Sequence, residues 1–163
     1  MNYSFRTLIL LFSIVIVSSC SKETILPENN TITLNGSKFT ILSGTILGAS
    51  TDGIGSTAIS LINGTAFNVR TLSIEVNAAS EATLEGTYSY PAQDEDGKLD
   101  DWLTNYTVFS GTSQSSTNLE TGIVTITHES GNTFTIALQL NMVNGDTFEG
   151  SYSGNFQVQF TNN

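Results

Sequence analysis

The chain has 163 residues, 15 of them acidic against five basic, for a formal net charge of −10. Nucleic acid and anionic headgroups both need a basic patch, so this balance excludes DNA and RNA as partners. Charged residues make up only 12%. Thr, Ser, Asn and Gly abound in their place, a composition poor in helix formers and suited to strands.

The chain opens on Met1 to Arg6, followed by an apolar run from Leu8 to Val17 interrupted only by Ser13. That run is about half the roughly 20 residues a spanning helix needs. Small residues follow it, which is the form of a secretory signal. Cys20 is the single cysteine. The stretch Val17-Ser18-Ser19-Cys20 resembles the lipobox of bacterial lipoproteins. This resemblance implies a signal peptide over residues 1–19, cleavage before Cys20, and acylation of its thiol and new amino group. Several acyl chains anchor a protein stably where one does not. The resemblance therefore implies a membrane partner through the lipid anchor, at the outer membrane, on its periplasmic or cell-surface side. With Cys20 lipidated no disulfide remains, and packing alone must hold the fold.

Residues 20–30 read as the lipidated cysteine and a tether, since Ser21 to Asn30 (SKETILPENN) has mixed charge, one proline and no periodicity. Lys22-Glu23 loosely resembles the Lys-plus-acidic surface signals of Bacteroidota-type lipoproteins. An ordinary solvated tether is the other reading.

Residues 31–163 read as one all-β domain. Thr31 to Leu34 alternates, and Asn35-Gly36 is a strong hairpin signal. Val69 to Asn77 places Leu72, Ile74 and Val76 on one face and Thr71, Ser73 and Glu75 on the other. Thr133 to Asn141 does the same with Phe134, Ile136, Leu138 and Leu140, and Asn155 to Phe160 with Phe156, Val158 and Phe160. A period of two with one apolar face predicts half-buried antiparallel strands. Past Cys20 no window carries a helical stripe, and Lys98 to Leu103 supplies at most one turn.

The sequence also repeats. Residues 57–90 align without a gap to 121–154, with identities that include Glu85/Glu149, Gly86/Gly150, Tyr88/Tyr152 and Ser89/Ser153. The predicted units are about 37–90 and 104–154, plus a closing strand. Such a duplication predicts an antiparallel up-and-down barrel of about eight to nine strands, calycin-like, with a two-sheet β-sandwich as the alternative. In Leu84-Glu85-Gly86-Thr87-Tyr88 and Phe148-Glu149-Gly150-Ser151-Tyr152 a glycine lies between two large residues, which fits a curled strand with an aromatic folded over it. By its general pattern the domain resembles the small all-β domains of Bacteroidota-type surface lipoproteins, a likeness that implies no activity.

The first unit carries an insertion, Pro91 to Leu103, with Asp94, Glu95, Asp96, Asp100, Asp101 and the single tryptophan, Trp102. Asp94, Asp96, Gly97 and Asp100 match positions 3, 5, 6 and 9 of an oxygen-ligand calcium loop. Ala92 and Leu103 stand where the first ligand and the bidentate glutamate belong, so the EF-hand pattern fails. An irregular calcium site using Asp94, Asp96, Asp100 and Asp101 and a solvated acidic loop both remain open. Tyr88, Tyr90, Trp102 and Tyr106 cluster around the insertion, and their amphipathic rings suit sugar or peptide binding as well as a barrel rim.

No catalytic constellation accompanies them. The carboxylates share one loop instead of facing across a cleft, as glycoside hydrolysis requires. His128 stands alone beside Glu129, and nucleophile-elbow, zinc-protease and phosphate-loop motifs are absent. The expectation is therefore a non-enzymatic anchored domain with a binding or accessory role and no cofactor beyond calcium. Its ligand would be a glycan, a peptide or a small apolar molecule. The alternative is a structural or assembly component whose partner is another envelope protein. A sizeable internal cavity would favour the first, and a filled core the second.

Overall fold

A computed structural model describes residues 29–51, 54–65, 67–92 and 97–162. Cys20 and the anchor sequence, like Asp94 and Asp96, lie outside the described residues. The protein is all-β. Its strands are β1 (Asn29–Asn30), β2 (Thr33–Leu34), β3 (Ser37–Lys38), β4 (Ser43–Thr51), β5 (Ile54–Thr65), β6 (Asn68–Val76), β7 (Gly86–Tyr90), β8 (Asn105–Ser110), β9 (Ser113–Ser130), β10 (Thr133–Met142), β11 (Thr147–Asn155) and β12 (Gln157–Asn162). One helical turn, α1 (Glu81–Leu84), interrupts them.

These strands form one mixed twelve-stranded sheet with the path β12-β4-β5-β6-β8-β9-β10-β11-β2-β3, while β1 joins β11 and β7 joins β9. The path is open, so the expected closed, purely antiparallel ladder of eight or nine strands is not what forms. The departure from antiparallel pairing is β12, which runs parallel to β4. β12 follows β11 directly in sequence and cannot fold back on it, so it lies along the first long strand instead.

The alternation read from sequence is the alternation observed. Leu72, Ile74 and Val76 of β6 are fully buried, as are Phe134, Ile136 and Leu140 of β10. Asn35 and Gly36 have φ of 52° and 75°, the paired left-handed values of a tight hairpin turn. Strand β9 does two jobs. Its first part pairs with β8 and its remainder with β10 and β7. The register moves from Asn141↔Thr121 to Met142↔Leu119, leaving Glu120 as an extra residue where the strand changes partners.

Against this sheet packs one core, whose largest fully buried side chains include Tyr152, Phe134, Phe148 and Phe156. Phe39, Tyr106 and Phe148 pack edge to face at centroid distances of 5.0–6.3 Å at one end. Phe134, Tyr152 and Phe156 do so at the other, and His128 stacks on Phe134 at 4.5 Å. Such pairs contribute about 0.5–1.5 kcal/mol each beyond the area they bury. Among the described residues these rings and the buried aliphatic side chains form one continuous cluster.

The two repeated glycines serve different ends. A Cβ on Gly86 would meet the Tyr88 ring at 3.7 Å, the expected aromatic cover. Gly150 has φ +123°, and a Cβ there would lie 2.5 Å from the Thr31 carbonyl oxygen. It is needed because the segment joining β1 and β2 crosses it closely.

Candidate functional site

The described members of the aromatic and acidic set singled out from sequence are put to different uses. Tyr88 is buried in the core, and its hydroxyl donates to the carbonyls of Leu84 (2.9 Å) and Thr83 (3.1 Å). Tyr106 is buried in the Phe39–Phe148 cluster. Tyr90 is half-buried, and its hydroxyl bonds the Asp101 carboxylate, which holds the phenol above its ordinary value. Trp102 is 75% exposed.

Asp100 shapes the turn that presents Trp102. Its Oδ1 accepts from the backbone N–H groups of Trp102 (2.9 Å) and Leu103 (2.7 Å), while its own N–H donates to the Glu75 carbonyl (3.0 Å). A carboxylate satisfying two amides at a turn is doing structural work. Among the described residues no group of three or more His, Cys, Asp or Glu side chains is placed to hold a metal ion.

A groove of about 410 Å³ opens instead above Tyr106, lined among others by Val108, Ser115, Thr117, Val143, Asn144 and Asp146. Its wall is the turn between β10 and β11, which local chemistry fixes tightly. Asp146 N–H donates to Asn144 Oδ1 (3.0 Å), and Asn144 Nδ2 returns a bond to Asp146 Oδ2 (2.8 Å). Asp146 Oδ1 accepts from Asn35 Nδ2 (2.8 Å) on the β2–β3 turn, and Val143 N–H donates to the Asn118 carbonyl (3.0 Å). Three segments far apart in sequence are thereby locked around one opening. Burial raises the Tyr106 phenol above its ordinary value; Arg70 pulls it down and Asp146 pushes it up, so both charges are felt at the ring.

Hydroxyls, an amide and a carboxylate thus face an apolar wall over an aromatic floor. This arrangement can hydrogen-bond a neutral polar ligand and cover an apolar face of it. It holds no nucleophile with a base beside it. His128 is committed elsewhere, with Nε2 2.8 Å from the Gly131 carbonyl oxygen and its ring on Phe134. A second, more open groove of about 350 Å³ lies on the outer face of β9, β10 and β11, between Ile123, Thr125, Gln139 and Glu149. Of the first groove, sequence reading named only Tyr106. The tight Asn144-Gly145-Asp146 turn was the available signal for the wall, and nothing local tied it to Asn35 or Thr117. Compared with family models, with curated proteins and with solved structures, the chain matches none.

Proposed function

We propose that the protein is a lipid-anchored, non-catalytic binding or accessory domain of the outer membrane that takes a neutral polar ligand, a glycan or a peptide, on its outside. The observation that carries this reading is the groove over Tyr106, whose walls are pre-set by the Asn35–Asp146–Asn144 hydrogen bonds. Pre-set walls lower the ordering cost of binding. The cluster of buried side chains among the described residues favours these two over the third ligand class, a small apolar molecule held inside. Titrating the protein with oligosaccharide and peptide panels while following thermal stability tests the reading. Tyr106→Phe and Thr117→Ala should weaken any stabilisation found. Equal stabilisation of wild type and both variants would move the site away from this groove.

The same packed cluster equally supports the second reading, an assembly component that docks on another envelope protein. The anchor rests on Val17-Ser18-Ser19-Cys20, and labelled palmitate should enter the wild type but not Cys20→Ala. Calcium enters only at the acidic insertion, where a rise in melting temperature and a shift of Trp102 fluorescence at millimolar calcium would reveal it. β11 runs straight into β12, so one ribbon contacts both β10 and β4, and this supports a barrel-like wrap over a flat sandwich.

A further inference from the structure

The open sheet ends at two strands of opposite character. β3 is two residues long and carries Lys38, and the outer edge of β7 is covered by residues 97–99. Short length, lysine and a covering loop are the usual means by which natural sheets blunt an edge. Among the described residues β12 has none of them. Gln157 to Asn162 keeps a regular six-residue register with β4 and contains no charge and no proline. Among the described residues β4 is its only strand partner. Phe156 N–H donates to the Asn132 carbonyl (2.9 Å) at the β9–β10 turn, and beyond that point β12 continues with no second neighbour in the ladder among the described residues. Val158 and Phe160 pack against the core yet remain only partly buried.

The charge distribution says what can approach this edge. The molecule is strongly acidic, but β12 and its neighbours β4 and β5 contain no charged residue. Two copies meeting along β12 would bring no carboxylates face to face in these three strands. The tether residues 21–28 contain Pro27 and three charges, a poor strand for this edge. An identical bare edge is the better match.

We propose that β12 is a strand-pairing edge at which a second copy of this chain adds antiparallel, giving a two-fold dimer whose sheet runs through both β12 strands. Such an interface is isologous. Main-chain hydrogen bonds supply its affinity, and the half-covered Val158 and Phe160 gain cover. Six residues span only about 20 Å, so the association is of the weak class, with a dissociation constant on the order of micromolar.

The test uses the full chain, purified in a mild detergent and measured by sedimentation at about 100 µM, well above a micromolar dissociation constant. The wild type should sediment as a dimer. Gln159→Lys with Thr161→Lys places like charges along the paired edge and should weaken association about tenfold, with the circular dichroism spectrum unchanged. As a check that does not depend on fold stability, Gln159→Cys or Thr161→Cys should cross-link two chains, and Ser37→Cys on the opposite edge should not. A wild type that stays monomeric at this concentration overturns the proposal. A lysine variant that dimerises as well as the wild type, or cross-linking as efficient from Ser37→Cys as from β12, does so too.

Discussion

Residues 57–90 and 121–154 look like two copies of one pattern, and the structure shows where they part. In their middle strands they agree. Leu72, Ile74 and Val76 of β6 are buried, and so are their counterparts Ile136, Leu138 and Leu140 of β10. In their first strands they are opposed: Ile59 is fully buried, whereas its counterpart Ile123 is 44% exposed. The turn after β9 comes one residue later than the turn after β5, and Glu129 is an extra residue beside it. Because side chains alternate with a period of two, a shift of one residue turns a whole strand over. The third strands keep their inward tyrosines, Tyr88 and Tyr152, but change neighbours. β11 lies on β10, while β7 lies on β9, and β6 takes β8 instead. Matching letters therefore carry the burial pattern of single strands and not the order in which strands pair.

Substitutions at matched positions can break or sharpen this comparison. The largest effects belong where both copies point inward. Phe148→Ala removes a ring packed on both Phe39 and Tyr106 and should cost about 3–5 kcal/mol, with Leu84→Ala at its counterpart costing about 2–5 kcal/mol. Urea midpoints would show both losses. A near-neutral Leu84→Ala would mean that the helical turn α1, which supplies this residue, is not part of the packed core.

A sharper contrast is expected in the first strands. Ile59→Ala should cost about 2–5 kcal/mol, whereas Ile123→Ala should stay within about 0.5 kcal/mol. Equal losses at the two positions would mean that β9 presents the same face as β5, and the one-residue shift would be lost with it.

These contrasts also mark how far the sequence could be read. Leu72, Ile74, Phe134, Ile136 and Phe156 announced their faces by local alternation, which needs no knowledge of partners. Asn35-Gly36 announced its turn because those two residues accept left-handed backbone so readily. The Glu120 and Glu129 irregularities could not be seen, since an extra residue in a strand is defined only against the strand opposite. The parallel pairing of β12 with β4 and the joining of Asn35, Thr117 and Asp146 around one groove are likewise products of distant contacts. Tyr88 and Tyr106 illustrate the same limit for site residues. Their amphipathic character suited either rim or core, and only packing assigns both to the core. A smaller effect follows at Tyr88: Tyr88→Phe strands the Leu84 carbonyl and should cost about 1 kcal/mol.

The smallest expected effect distinguishes the copies electrostatically. Glu75 occupies the position matched by Gln139, so Glu75→Gln makes the first segment resemble the second. Glu75 is half-buried, and burial is the main cause holding its carboxyl above the ordinary carboxylate value. A bond from the Ser56 side chain partly offsets this, and repulsion from Asp100 adds to it. Its backbone is fixed independently, with its N–H donating to Thr104 Oγ1 (3.0 Å) and its carbonyl accepting from Asp100 N–H (3.0 Å). A group whose value is raised in the folded state favours folding fully below the unfolded value. That contribution is lost as pH rises through the folded one. At neutral pH the charged Glu75 is thus a liability, and removing the charge should stabilise the fold. Solvent screening at a half-exposed site keeps the gain below about 1 kcal/mol. Urea unfolding of wild type and Glu75→Gln should therefore agree near pH 4, at about the ordinary glutamate value, and diverge in favour of the variant towards pH 7. A variant less stable than wild type at neutral pH would show that the Glu75 charge is itself held by a partner, and the matched positions would then differ in function as well as in charge.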